Sequence, residues 1–504
     1  MKRLLYILSL LPLGMNAQNM YNVASFFEND LIGTARYVGM GGSMSALGAD
    51  LTTMGTNPAG MAMFRSNDFS FTAGVDMNSS KAVYEGTTVK TNSTNVYLSN
   101  ASVVISRECN GDKVRFVNFG LGYRRKNNLA GAFEMYGISN GWSQQYVINE
   151  LYNNTPFDYS NLKEWMYENF TISWLPLLAA EANLGDTLGN FITYPDTSLV
   201  WRPDELAFYE ETRGGVHVVD LNFSTNICDR VYLGATVGVS LVDYNRYSEY
   251  REIDSYGDIY VLENNKSLKG SGFDIKLGAI FRPFKYAPFK IGLSVHTPTW
   301  YSLKEYSNAT MTDPWGNSYS TSASGLYGNV LAVSNKLKTP WRVNASMSYT
   351  VGSILALNAE YEYADYRKSK FTERGQVYKA QNEEIECNMK AQHIVRVGAE
   401  VKIDAYSLRA GYNYITAPFS KDAYKYFYNA SITETSTDYM NRFGKSIVTA
   451  GFGYRGKAFY ADLAYMLEMQ KSEFYPFYDF EYVNPGATVK DVNNSLVLTV
   501  GMRF

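Results

Sequence analysis

The sequence predicts an all-β fold, a 14-stranded antiparallel transmembrane β-barrel with an N-terminal hatch in the lumen. Three observations carry that prediction: a period-two alternation repeated from Asp68 to the C-terminus, a regular exchange of short and long links, and 42 tyrosines in an aromatic content of 15%. Period two means strands with one apolar and one polar face. An even strand count, with short turns at one end and long loops at the other, is the layout of a bacterial outer-membrane barrel. Tyrosine, an apolar ring with a polar tip, suits the boundary between lipid and water.

Taken in order, residues 1–17 read as a secretory signal peptide: Lys2 and Arg3, an apolar run over residues 4–13, then small and polar residues to Ala17. The run is too short to span a bilayer, so the mature chain is expected to begin at Gln18. No later stretch of 18 or more apolar residues follows, which leaves strands as the means of crossing a membrane.

Residues 18–66 are assigned to the hatch. The segment RYVGMGGSMSALGADLTTMGTNPAGM, residues 36–61, is rich in glycine and nearly free of large aliphatic side chains. It does not read as a phosphate-binding loop: Met44 stands where the third glycine of a dinucleotide fingerprint belongs, and no Gly-Lys-Ser/Thr follows. Small residues including Gly39, Gly41 and Gly42 allow close backbone approach, and Pro58 fixes a turn after Asn57. A small, polar segment ahead of a barrel's first strand has a natural place inside the lumen.

Residues 67–504 are assigned to the barrel. In DFSFTAGVDMN, Phe69, Phe71, Ala73, Val75 and Met77 alternate with Ser70, Thr72, Gly74, Asp76 and Asn78. The pattern recurs through Val231/Leu233/Ala235/Val237, Phe273/Ile275/Leu277, Val395/Val397/Ala399 and Phe459/Ala461/Leu463, and closes with SLVLTVGMRF. Short links are expected near 108–114, 227–230, 283–288, 351–353, 404–405 and 455–457. Long ones are expected near 81–94, 140–213, 251–269, 306–338, 368–391, 419–444 and 471–493. The apolar face is expected toward lipid, and closure is required because an open edge in hydrocarbon costs several kcal/mol per unpaired group. Phe504 ends the last alternating strand in the manner of an outer-membrane assembly signal, making the barrel assembly machinery an expected partner.

Other chemistry finds little support. A formal net charge of -3 gives no electrostatic footprint for nucleic acid. Cys109, Cys228 and Cys387 are odd in number without metal-like spacing. The three histidines, His217, His296 and His393, are scattered, with neither a hydrolytic triad nor a zinc motif around them. The chain therefore reads as a non-enzyme without cofactor or metal.

The stretch GTARYVGMGGSMSALGADLTTMGTNPAGM, residues 33–61, resembles the N-terminal hatch of the FadL/TodX family of outer-membrane transporters for long-chain fatty acids and other hydrophobic compounds. The resemblance rests on Gly39, Gly41 and Gly42, on Asp50, and on Asn57, Pro58 and Ala59 just before the first strand. TPWRVNASMSY (339–349) and LRAGYNYITAP (408–418) are similar to strand segments of that family. The resemblance implies passive transport: capture of a hydrophobic molecule among the extracellular loops, hatch movement, and lateral exit into the bilayer lipid through an inward kink of the third strand.

For the kink, Arg125, Lys126, Asn127 and Asn128 are the candidates, because RRKNN interrupts the apolar series of a third strand expected from 115 to about 140. These residues are either a bulge at a wall opening or solvated contacts at the outer surface. For capture, the loop at about 140–213 supplies Trp142, Trp174, Leu175, Leu177, Leu178 and Phe191. They line a groove or form a small core holding the loop over the barrel. A haem receptor is an alternative, since tyrosine and methionine can ligate haem iron; a structural or adhesive barrel is another.

Overall fold

In the computed structural model, residues 20–21, 30–111, 113–153, 174–182, 203–257, 259–284, 287–321, 331–373, 376–377, 379–425, 434–477 and 485–504 are described. The expected signal peptide, 1–17, and Phe191 lie outside them.

Fourteen antiparallel strands form the wall. They are β1 (Asp68–Tyr84), β2 (Thr87–Glu108), β3 (Val114–Asn128, then Gly131–Ile138), β4 (Glu205–Ile227), β5 (Val231–Ile253) and β6 (Ile259–Phe281). Next come β7 (Phe289–His296, then Trp300–Thr312), β8 (Leu331–Lys338, then Arg342–Val351) and β9 (Leu355–Asp365, then Lys370–Glu373). The circle ends with β10 (Ala391–Ile403), β11 (Tyr406–Ile415), β12 (Tyr439–Arg455), β13 (Phe459–Tyr475) and β14 (Ala487–Arg503). β14 pairs with β1 from Asp68↔Arg503 to Val83↔Thr488, so the sheet closes on itself. No described helix is long and apolar enough to cross a membrane.

The alternation sorts as the sequence requires. Phe69, Phe71, Leu221, Leu277 and Val397 are exposed on the outer face, while Ser70, Thr72, Asp220, Thr236 and Arg396 are buried on the inner one. Apolar side chains on the outside of a closed barrel are what a bilayer tolerates there.

The loop lengths need correction. The link expected at 81–94 is a two-residue turn, Glu85–Gly86, with φ of 43° and 82°; the link at 251–269 shrinks to the residues between Ile253 and Ile259. Much of 306–338 is likewise strand, and β13 runs to Tyr475 before β14 resumes at Ala487. Outside the bilayer the outer face no longer has to be apolar, so the alternation fades while the hydrogen-bond ladder continues.

Among the described residues, four strands are interrupted. β7 breaks around Pro298 and β8 around Pro340, where proline has no N–H to give to the ladder. β9 breaks at a short 3-10 turn, Tyr366–Lys368. β3 breaks at Leu129 and Ala130, so the expected continuous third strand is two segments.

Candidate functional site: hatch, lumen and third strand

The hatch is a series of short capped turns. Thr34 caps the helix Ala35–Gly39, its side chain accepting from the Tyr37 amide. Asp50 caps the turn Leu51–Gly55 by accepting from Thr52 N, and it also takes the Thr34 hydroxyl at 2.8 Å. Asn57 caps Pro58–Met63, accepting from Ala59 N at 3.2 Å and donating through Nδ2 to the Ser45 carbonyl at 2.9 Å. Side-chain capping satisfies amides that such short turns leave orphaned. Asp50 and Asn57 are thus cross-links between successive turns.

The glycines answer to the wall. A Cβ on Gly41 (φ 63°) would stand 2.8 Å from Tyr412 N, and one on the facing Gly411 would stand 2.2 Å from Gly41 N. Gly39 lies the same way against Gly451 of β12. On the opposite side, wall glycines Gly234 and Gly278 make room for Pro58, Ala59 and Asn57. Gly42 has φ of 77°, the left-handed region that glycine enters without strain. Hatch backbone therefore sits directly on strand backbone on two sides of the lumen.

Arg36, which the sequence did not single out, supplies a bidentate ionic contact between hatch and wall, beside the pairs Asp30–Lys445 (3.7 Å) and Arg65–Asp229 (3.1 Å). It donates to Glu400 through two parallel bonds and to the Ala49 carbonyl at 2.8 Å. Glu400 is shared with Arg409 (2.5 Å), which also pairs with Asp462 (2.6 Å). Burial works against the Arg36 charge, but Glu400 overrides it and holds the guanidinium above its ordinary pKa. Two further buried groups line the wall: Arg124–Asp220–Lys276–Asp274 and Arg342–Glu362–Arg396–Glu360. His296 Nε2 donates to the Thr56 carbonyl at 2.6 Å, a lumenal contact with the hatch.

Toward the end that carries the long β3–β4 connection, the lumen turns apolar. Leu175 and Leu178, in the helix Trp174–Glu181, pack with Phe133, Met135, Phe208, Tyr250 and Phe474. Trp174 and Leu177 are buried, and Trp142 packs partly buried against the same cluster. The described loop residues form a core inside the mouth.

The third strand bends between these regions. β2 pairs with β3 from Glu108↔Phe116 only as far as Asn100↔Arg124. The β3–β4 ladder shifts register between Arg125 and Asn127, so Lys126 is a bulged residue. Arg125, Lys126 and Asn127 are 9%, 9% and 1% exposed, which excludes the reading of solvated surface contacts. Arg125 donates to the Gly214 carbonyl at 2.6 Å, and Lys126 reaches the Tyr301 hydroxyl at 3.4 Å. Asn128 ties the junction together: its amide donates to Asp30 of the hatch (2.8 Å), its Nδ2 to Asp76 (2.6 Å), and its Oδ1 accepts from Asn95 (3.0 Å).

Beyond the break, the segment Gly131–Ile138 pairs with β4 alone among the described strands and passes inside the β1–β2 hairpin. A Cβ on Gly137 would stand 2.8 Å from the Tyr84 carbonyl. Among the described residues, no ladder pairs the third-strand side of β2 above Asn100. A cavity of about 240 Å³ borders this junction, lined by Asp30, Tyr97, Asn128, Leu129, Ala130 and Phe133 among others.

No protein-family model matches the sequence, and no curated protein does. Among solved structures, the chain is similar to a Pseudomonas aeruginosa FadL homologue, at 12% identity and TM-score 0.55 over 95% of this chain and 100% of that one. It is also similar to the Pseudomonas putida toluene transporter TodX, at 12% identity and TM-score 0.54 over 94% of this chain and 99% of that one. By its architecture this chain is a closed 14-stranded antiparallel β-barrel of the FadL/TodX fold.

Proposed function

We propose that the protein carries hydrophobic molecules passively across the outer membrane, with long-chain fatty acids as the cargo class. Cargo enters where Trp142, Trp174, Leu175, Leu177 and Leu178 pack the mouth, with Phe191 assigned to the same entry. It passes the apolar upper lumen and leaves sideways at Arg125–Asn128, while the hatch, Gly39 to Ala59, blocks the straight route to the periplasm. The observation that carries this reading is the coincidence of three features: the inward bend of β3, the loss of its pairing with β2, and the cavity at that junction.

Physically, lateral exit suits such cargo. A molecule that leaves through the wall passes from an apolar lumen to lipid without crossing water, so no apolar surface is hydrated on the way. TodX is a toluene transporter by its description, and the same route would serve neutral and acidic cargo alike.

Paired cysteines at Asn95 and Asn128, whose side chains are hydrogen-bonded, test the exit by stapling β2 to the bend. In vesicles, uptake of a fluorescent long-chain fatty acid should fall on oxidation and recover on reduction. Uptake that is unchanged by the staple would remove the lateral exit. Displacement of the bound fatty acid by haem but not by other fatty acids would move the cargo to haem.

A further inference from the structure

The outer face carries a feature that transport does not use. Lys81 of β1 stands directly opposite Lys90 of β2 on one side and Lys490 of β14 on the other, and Lys490 stands opposite Lys471 of β13. Four consecutive strands thus place four lysines in one row, all exposed. With strands about 4.8 Å apart, the row spans about 14 Å. Like charges directly opposite one another in a ladder repel, so the row is unfavourable unless an anion lies against it.

Acids close by are occupied or turned away. Glu473, one row further out on β13, accepts from the Tyr475 hydroxyl at 3.1 Å, and Glu85, in the hairpin turn, accepts from Asn140. Asp76, from the same strand as Lys81, is buried on the lumenal face. Among the described residues, none of the four lysines makes an ion pair.

Height selects the partner. The row immediately toward the membrane holds Asn92, Ser79, Val492 and Met469, and the next holds Met77. Val492, Met469 and Met77 are 37%, 41% and 45% exposed, so the lysines sit at the upper rim of the apolar band. That is the level of lipid headgroups, where clustered lysines attract anionic lipid over about one Debye length.

We propose that Lys81, Lys90, Lys471 and Lys490 form a docking row for the phosphate groups of an outer-leaflet glycolipid, fixing lipid against the β13–β14–β1–β2 wall. That wall borders the β2–β3 junction, so the docked lipid would stand beside the opening assigned above. The docking itself does not depend on the transport reading.

The test is native mass spectrometry of the detergent-purified full chain titrated with diphosphoryl lipid A or its dephosphorylated form. Wild type should retain the diphosphoryl lipid, and K81Q/K90Q/K471Q/K490Q should need at least about tenfold more. The single variant K490Q, which removes a central charge, should show a smaller loss in the same direction. K402Q/K457Q, two exposed lysines at the opposite end of the barrel, should bind as wild type. Heat-modifiable migration on gels confirms folding of each variant. Equal retention by the quadruple or single variant and wild type would overturn the proposal, as would equal retention of the dephosphorylated lipid, which points to apolar contact alone. Displacement by millimolar inorganic phosphate would also overturn it, in favour of a small-anion site. Failure here would leave fatty-acid uptake untouched, because that assay reads the lumen.

Discussion

Arg36 and Glu400 join hatch to wall through two parallel hydrogen bonds, Nε to Oε2 at 2.9 Å and Nη2 to Oε1 at 3.0 Å. The two residues are 364 positions apart in the chain, and their side chains are 12% and 14% exposed. This bidentate pair between the helix Ala35–Gly39 and β10 holds the plug in register with the charged network behind it.

Arg36→Ala should loosen the hatch while leaving the barrel closed. Removing one partner of a largely buried pair costs about 3–5 kcal/mol, although Arg409 remains on Glu400 and lowers the expected loss. Planar-bilayer conductance should rise, and Arg36→Lys, which keeps the charge beside Glu400, should retain part of the seal. A conductance equal to wild type would show that contacts other than Arg36–Glu400 hold the hatch.

Gly411→Ala tests that packing directly. The added Cβ would meet Gly41 N at 2.2 Å and the Met40 carbonyl carbon at 2.4 Å, both backbone atoms that cannot rotate away. The hatch should be displaced, with protease cleavage appearing within residues 36–61 while the barrel stays heat-modifiable. Gly111→Ala, whose nearest neighbour is 3.8 Å away in a turn, should change nothing.

Leu277→Lys probes the lipid face. Leu277 is 56% exposed on the outside of β6, and a lysine at the bilayer midplane of a barrel costs about 2–4 kcal/mol. A folding titration in lipid should show that loss. Tolerance of the change would place Leu277 away from hydrocarbon.

Leu178→Ala addresses the mouth. Leu178 is 1% exposed among Phe133, Phe208 and Phe474, and truncating a buried leucine costs about 2–5 kcal/mol. Amide exchange in the helix Trp174–Glu181 should speed up, with β4 and β5 protected as before. Unchanged exchange would mean that the helix is held by contacts other than this core.

What could be read directly was whatever a strand repeats locally. Phe69 and Ser70 face opposite ways because consecutive side chains on a strand always do. Proline and the Arg125–Asn128 interruption also announce themselves within a few residues, because each breaks the local pattern of a strand. Lys81 and Lys90, by contrast, fell in a segment expected to be loop, because their outer face is polar. Arg36 looked like an ordinary cation in a small-residue run, since nothing near it in sequence is its partner.

The sequence by itself determined the barrel, its facing rule and the small-residue character of the hatch, all of which depend on residues at most a few positions apart. Only the tertiary structure decided which distant groups meet: Arg36 with Glu400, Gly41 with Gly411, Asn128 with Asp30 and Asp76, and the four lysines in one row. Those pairings depend on strand register and on closure of β14 against β1. Register is a property of two chains of hydrogen bonds aligned in space, and a one-residue slip would exchange every partner.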